Sequence, residues 1–295
     1  MSFHKIFALG AGAIGSSYGA LISRKNDVTL IGRNSHVQAI KTKGLEISGD
    51  IQESFFIKAE TEIREIPSNT LILLATKAYD SAQALTQVTN LLKNDTTIVI
   101  LQNGIGNKEL VRRIVGDKIE TVRGLAMVGA EFSEPGKITF WNGETILEQT
   151  ETSMRIAELF NESGLKTRVS HRFETELWNK LVVNCVVNPL TAILRVRDNE
   201  IAVDALKWLR HEIIDECVKV GQAEGIRFEP DLKEAVDKKI LQYTNFSSMC
   251  QDIMKEKTTE IDFLNGKIVE LGRKHQILTP INEILVSLIK SMEVT

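Results

Sequence analysis

The chain has 295 residues, enough for two domains of roughly 100–200 residues each. Its net charge is -3 and no block of Lys or Arg stands out along it, which excludes a general electrostatic attraction to nucleic acid and points to small-molecule ligands. Cys185, Cys217 and Cys250 are odd in number and widely spaced, a pattern of neither a disulfide framework nor a zinc site, so reduced buried thiols are expected. The first apolar run, residues 6–9, is too short for a signal-peptide core, and no run approaches the ~18 residues of a membrane span. These features lead to the expectation of a soluble cytoplasmic protein without a membrane partner.

Residues 5–9 read as a buried strand that runs directly into Gly10-Ala11-Gly12-Ala13-Ile14-Gly15 and a small-residue segment able to open a helix. In this strand, turn and helix context, Gly10 permits the tight turn, Gly12 lets backbone approach a pyrophosphate, and Gly15 lets helix and strand pack closely. The helix N-terminus adds unpaired N-H groups and the positive end of its dipole. A second strand is expected at residues 27–31, ending at Gly32-Arg33-Asn34. An acid there would hold the ribose 2'-hydroxyl of NAD; Arg33 instead suits a 2'-phosphate, and no acid competes at the strand end, so NADP is favoured.

A helix at residues 35–43 leads to short alternating pieces at 45–48 and 53–57, read as a β excursion. Continuous apolar strands follow at 70–75 and 96–101, of the kind covered on both faces in a parallel sheet. They end at Lys77 and at Gln102-Asn103, at the strand ends where open α/β sheets bind ligands. Position alone leaves Lys77 and Asn103 equally open to a ligand role and to a turn or capping role. Further β-like pieces surround Pro135-Gly136, a turn signal, and a helix is expected at 152–163.

Beyond about residue 171 the strand signal disappears, and helical segments are expected at 174–188, 201–224, 232–242, 247–256, 259–274 and 281–292. The expected architecture is therefore an α/β Rossmann-type dinucleotide-binding domain, residues 1–171, followed by an all-α domain, residues 172–295. In the first long helix everything from Lys180 to Asn188 is apolar except Lys180, Asn184 and Asn188. Spaced i, i+4, i+8, they drift only ~40° per step and form one polar stripe on an otherwise buried helix, which must face a polar cleft or a ligand. Pro189 is expected to end or kink the helix. A partly buried lysine has a lowered pKa, which makes Lys180 a proton donor for a carbonyl that receives hydride. Ser248-x-x-Gln251 matches a capping box; capping suits Ser247, Ser248 is open to gripping an acid substrate, and Glu260 is favoured in a first helical turn whatever its role. The five histidines lack ligand spacing, so no metal site is expected.

Together these pieces resemble the ketopantoate reductase (2-dehydropantoate 2-reductase) family over essentially the whole chain. The resemblance rests on the glycine turn, Lys77-Ala78-Tyr79, Leu101-Gln102-Asn103-Gly104, Trp178-Asn179-Lys180-Leu181 through Asn184, Asn188-Pro189-Leu190-Thr191-Ala192, and Ser247-Ser248-Met249 with Thr259-Glu260-Ile261-Asp262. It implies NADPH-dependent reduction of ketopantoate to pantoate in pantothenate biosynthesis, with Lys180 as general acid and Glu260 completing the catalytic site. It further implies that Asn184, Asn188, Asn245 and Ser248 bind substrate. Gly10, Gly12, Ala13, Ile14, Gly15, Arg33, Lys77 and Asn103 would bind cofactor, and the site would lie in a cleft between the domains. Where the family often carries Gly-Arg before its Thr-Glu-Ile-Asp, this chain has Glu256-Lys257. Alternative readings are a reductase of a different 2-oxo acid on the same scaffold and a non-catalytic NADP-binding sensor. Oligomeric state, monomer or homodimer, is not read from the sequence.

Overall fold

A computed structural model describes residues 3–293. By packing, the chain forms two compact units: one runs to Gln102 and resumes at Gly106–Phe173, and the other joins Asn103–Ile105 to the chain from Glu174 onward. The first contains β1 (Lys5–Leu9), α1 (Ala13–Ser23), β2 (Val28–Ile31), α2 (Asn34–Lys43), β3 (Leu45–Gly49), β4 (Glu53–Phe55), β5 (Lys58–Glu60) and β6 (Thr70–Leu74). It continues with α3 (Ser81–Val88), β7 (Thr97–Ile100), α4 (Asn107–Val115), β8 (Glu120–Glu134), β9 (Lys137–Glu148), α5 (Ser153–Glu162) and β10 (Thr167–Ser170).

The strand order is β4-β3-β9-β8-β7-β6-β1-β2-β5, with β10 beside β9. From β7 through β5 every pairing is parallel. In β1, β6 and β7 alternate residues serve opposite faces. Ile6, Ala8, Leu71, Leu73 and Val99 join the core under α1 and α5, while Phe7, Leu9, Ile72, Leu74, Ile98 and Ile100 join the core under α3 and α4. Continuous apolar strands are therefore what this architecture requires. The pieces around Pro135-Gly136 are one long antiparallel hairpin, β8 and β9, and β3 adds to it in parallel. β10 had no signal of its own; its four residues pair along β9.

The second unit contains α6 (Phe173–Leu194, whose first residue closes the first unit), α7 (Lys207–Ala223), α8 (Leu232–Ile240), α9 (Ser248–Met254), α10 (Asn265–Lys274) and α11 (Pro280–Met292). Two expected helices are shorter than their periodicity suggests. Residues 198–206 form 3-10 turns ahead of α7, and Glu260 precedes a 3-10 turn, Ile261–Phe263, rather than lying inside a helix. By length and composition α6 could cross a membrane, contrary to the expectation that no run comes near, but 72% of that window is buried inside the protein, in the core of this unit.

Pro189 does not end α6, which continues to Leu194. Proline removes the N-H that would bond the Cys185 carbonyl. The Asn265 side chain replaces it, donating from Nδ2 to the Cys185 oxygen at 2.9 Å and to Asn282 Oδ1 at 2.8 Å. Asn103–Ile105 pack with this unit because Ile105 lies against its core and Gly104, at φ +86°, sits so close to Phe263 that a Cβ would lie 2.3 Å from its carbonyl oxygen.

Candidate active site

In the first unit the chain after β1 turns at Gly10, whose φ of +101° suits glycine alone among common residues. A Cβ there would lie 2.4 Å from the Thr76 backbone nitrogen, so the absence of a side chain lets the ends of β1 and β6 meet. At Gly15 a Cβ would lie 2.2 Å from the Gly10 carbonyl, whereas at Gly12 it would meet nothing within 4 Å. The turn is thus closed beneath and open above Gly12, the surface a pyrophosphate needs. Gly12 N-H is bonded to the Gly10 carbonyl at 2.8 Å, and helix geometry leaves the N-H groups of Ala13, Ile14 and Gly15 without intrahelical acceptors. The sheet's strand order reverses between β1 and β6, so this turn lies at a topological switch point, where doubly wound sheets hold ligands.

Arg33 precedes α2 and is 84% exposed; an acid does approach it after all, because Asp80, following β6, brings Oδ2 to 4.0 Å. An ion pair this long and this exposed holds the guanidinium weakly. Lys77, half-buried, opens the 3-10 turn Ala78–Asp80. That loop is tied down by Gln102, which the sequence places in a motif without assigning it a role. Gln102 Nε2 donates to the Thr76 carbonyl at 2.7 Å, to Thr76 Oγ1 at 3.0 Å and to Ser81 Oγ at 2.5 Å. Asn103 itself groups with the second unit.

In the second unit the stripe on α6 is present as three polar residues on a buried helix: Lys180 and Asn184 are half-buried and Asn188 is buried. Among the described residues the side-chain amides of Asn184 and Asn188 make no hydrogen bond, so their donors and acceptors are available. Desolvation pulls the Lys180 pKa down to about 8; the positive charge of Lys239 acts in the same direction and the carboxylate of Glu260 opposes both. Glu260 is buried, and its position is set from the chain's far end: Glu293 Oε1 accepts from Thr259 N at 2.8 Å and Thr259 Oγ1 at 2.7 Å.

Ser247, not Ser248, caps α9: its Oγ accepts from Cys250 N at 3.1 Å and also meets Thr191 Oγ1 at 2.7 Å, joining α9 to α6. The box with Gln251 does not form, because Gln251 Nε2 donates to the Phe246 carbonyl. Ser248 is left exposed, its hydroxyl uncommitted among the described residues. Asn245 is held by Asp198, accepting its Nδ2 at Oδ2 over 3.0 Å while Asp198 N-H donates to the Asn245 carbonyl at 3.0 Å. Burial pushes the Asp198 carboxyl up to about 7, against the hydrogen bonds from Ser247 and Asn245. Neither Asp198 nor Lys239 carried a signal in sequence, since both act through partners far along the chain.

A glycine turn at the switch point of a doubly wound sheet makes the first unit a Rossmann-type unit, and the second adds a helical body with a polar stripe. A family model described as ketopantoate reductase PanE/ApbA matches residues 6–151, and its C-terminal counterpart matches residues 172–293. A 2-dehydropantoate 2-reductase of Pyrococcus horikoshii is 37% identical over 299 residues, spanning 98% of this chain and 97% of that protein. One from Aquifex aeolicus is 30% identical over 305 residues, spanning 98% and 97%. Among solved structures, a PanE/ApbA family ketopantoate reductase from Ralstonia eutropha superposes with a TM-score of 0.92 at 29% identity, covering 98% of each chain. D-mandelate dehydrogenase in a ternary structure with NADH and anilino(oxo)acetate superposes with a TM-score of 0.91 at 28% identity, again covering 98% of each chain. The chain belongs to the ketopantoate reductase family.

Proposed function

We propose that this protein is an NADPH-dependent 2-dehydropantoate 2-reductase that converts ketopantoate to pantoate within pantothenate biosynthesis, with Lys180 as the general acid. The observation that carries the reading is Lys180 itself: a half-buried lysine, its pKa pulled down to about 8, on a stripe with two side-chain amides that make no hydrogen bond among the described residues. Such a group is charged at neutral pH yet releases its proton readily, which is what protonation of a ketone oxygen requires.

The open face above Gly12 and the N-H groups of Ala13, Ile14 and Gly15 fit a dinucleotide pyrophosphate, Arg33 is free enough to turn to a 2'-phosphate, and Lys77 and Asn103 are assigned to the ribose and nicotinamide. When bound, the reduced nicotinamide supplies the hydride. Asn184, Asn188, Asn245 and Ser248 orient the oxo acid through hydrogen bonds to its hydroxyl and carboxylate. Lys180 moves a proton from Nζ to the ketone oxygen, and Glu260 favours the charged form of Lys180 beforehand. Three free, buried cysteines agree with a cytoplasmic setting.

The test is NADPH absorbance with ketopantoate, with pyruvate, a bulkier branched 2-oxo acid and an aryl 2-oxo acid alongside, each also with NADH. Oxidation fastest with NADPH and ketopantoate and abolished in Lys180→Ala supports the reading. Turnover confined to another oxo acid overturns the substrate; turnover of none overturns the chemistry.

A further inference from the structure

The loop of residues 243–246, which leads into Ser247 and α9, is docked on the turn at residues 197–199 through its main chain. Asn199 N-H donates to the Tyr243 carbonyl at 2.9 Å, Arg197 Nη1 to the Thr244 carbonyl at 2.6 Å and Asp198 N-H to the Asn245 carbonyl at 3.0 Å. The Arg197 guanidinium also lies 4.7 Å from the centre of the Phe246 ring. These contacts fix the backbone of the loop, and none of them needs an acid at position 198. The Asp198 side chain acts on the amide of Asn245 instead. Both hydrogens of that amide are taken, one by Asp198 Oδ2 at 3.0 Å and one by the Phe246 carbonyl at 3.2 Å, which also accepts from Gln251 Nε2 at 3.0 Å. A carbonyl and an ionised carboxylate can only accept, so the amide is held in one orientation, with Nδ2 toward them. Asn245 is half-buried, and its Oδ1 makes no hydrogen bond among the described residues. An asparagine at position 198 would keep the backbone bonds but could donate to Oδ1, and so would admit the reversed amide. Asp198 is only 4% exposed, and burying a carboxylate costs more than burying an amide. The orientation it enforces accounts for the acid.

We propose that Asp198 is a positioning residue that locks the Asn245 amide as an acceptor, so that Asn245 receives the hydroxyl of the substrate and takes no part in holding its carboxylate. The assignment rests on the reading of Asn245 as a substrate-binding residue of an oxo-acid reductase. It makes selection for a hydroxylated oxo acid, over the same skeleton without the hydroxyl, a property of an acid 47 residues before the amide it orients.

Kinetics with NADPH on ketopantoate and on trimethylpyruvate, the same oxo acid without the hydroxyl, test this at about pH 8, where Asp198, raised by burial to about 7, is ionised. Asp198→Asn is expected to lose roughly tenfold in kcat/KM on ketopantoate, chiefly through KM, and less than about twofold on trimethylpyruvate. Asn245→Ala should show the same selective loss, and adding Asp198→Asn to it should change ketopantoate kinetics by less than about twofold. Asp198→Ala, which also removes the acceptor, guards against an asparagine variant that fails to fold. Equal losses on the two substrates, no loss on ketopantoate, or additive losses in the double variant overturn the proposal. Calorimetric binding, with NADP present, of pantoate and of the hydroxy acid derived from trimethylpyruvate separates it from the reductase reading. Pantoate bound more tightly by wild type, with that preference lost in Asp198→Asn and neither oxo acid reduced, would leave the lock standing and the reductase reading refuted. Equal affinity of wild type for the two hydroxy acids would overturn the lock whatever the turnover, and binding of neither would overturn both.

Discussion

Replacing Lys180 with methionine keeps most of the side-chain volume and removes the ammonium, and it should yield an enzyme that is inactive and more stable. Desolvation lowers the Lys180 pKa from 10.5 to about 8. At ~1.36 kcal/mol per pH unit this is a cost to the fold of roughly 3 kcal/mol, reduced to about 1–2 kcal/mol because part of the side chain stays in contact with water. The sign follows from proton binding. The unfolded chain keeps this proton up to about pH 10.5 and the folded chain releases it near pH 8, so between those values the unfolded state binds more protons and stability rises with pH. Below pH 8 the full cost is present. Thermal melts of wild type and Lys180→Met should therefore differ by about 2–8 °C in favour of the variant at pH 7, and by progressively less toward pH 10. In the same preparation kcat should fall by at least ~100-fold. Lower stability of the variant at pH 7 would refute the reasoning, since the ammonium would then be well satisfied inside the fold. Retained kcat would refute its role as acid.

Glu256 occupies a left-handed conformation, φ 51°, immediately after the α9 cap, where Lys257 N-H bonds the Asp252 carbonyl at 2.9 Å and Glu256 N-H the Ile253 carbonyl at 3.1 Å. This is a Schellman ending with glutamate where glycine belongs, so Glu256→Gly should raise stability by about 0.5–1 kcal/mol in a melt; an unchanged or lower midpoint would argue against it. Asn265→Ala strips the Cys185 carbonyl of its donor and should cost about 1–3 kcal/mol, while Pro189→Ala in that background restores an N-H and should recover part. Absence of recovery would place the importance of Asn265 in its bond to Asn282 instead. Arg33→Ala should raise KM for NADPH by roughly tenfold and leave KM for NADH unchanged; equal effects on both would remove Arg33 from the 2'-phosphate.

The parts of this protein that were legible in sequence are those in which local pattern and tertiary environment say the same thing. Period-two burial on both faces makes β1, β6 and β7 continuous apolar runs, and the glycine turn must use glycine because Thr76 leaves no room at Gly10. The stripe on α6 was legible because three polar residues break an otherwise apolar helix. Illegible parts depend on residues brought together from far apart. Proline inside α6 is tolerated because Asn265, 76 residues on, supplies the missing donor; Asn245 is held by Asp198, 47 residues before it. Asn103–Ile105 belong with the second unit for the same kind of reason, a contact with Phe263.

These long-range partners also separate two kinds of broken rule in the second unit. The Cys185 carbonyl at Pro189 and the buried carboxylate of Glu216 both violate a simple apolar core, and each has its complement in the chain: Asn265 for the first, the Ile281 and Asn282 N-H groups for the second. They are architecture. Asn184, half-buried, and Asn188, buried, also interrupt the apolar surface of α6, and among the described residues no hydrogen bond answers their side-chain amides. A buried polar group with its partner in the sequence stabilises one fold, whereas one that waits for its partner stabilises a complex. On that physical distinction the amides of the α6 stripe are the ones proposed above to orient the oxo acid.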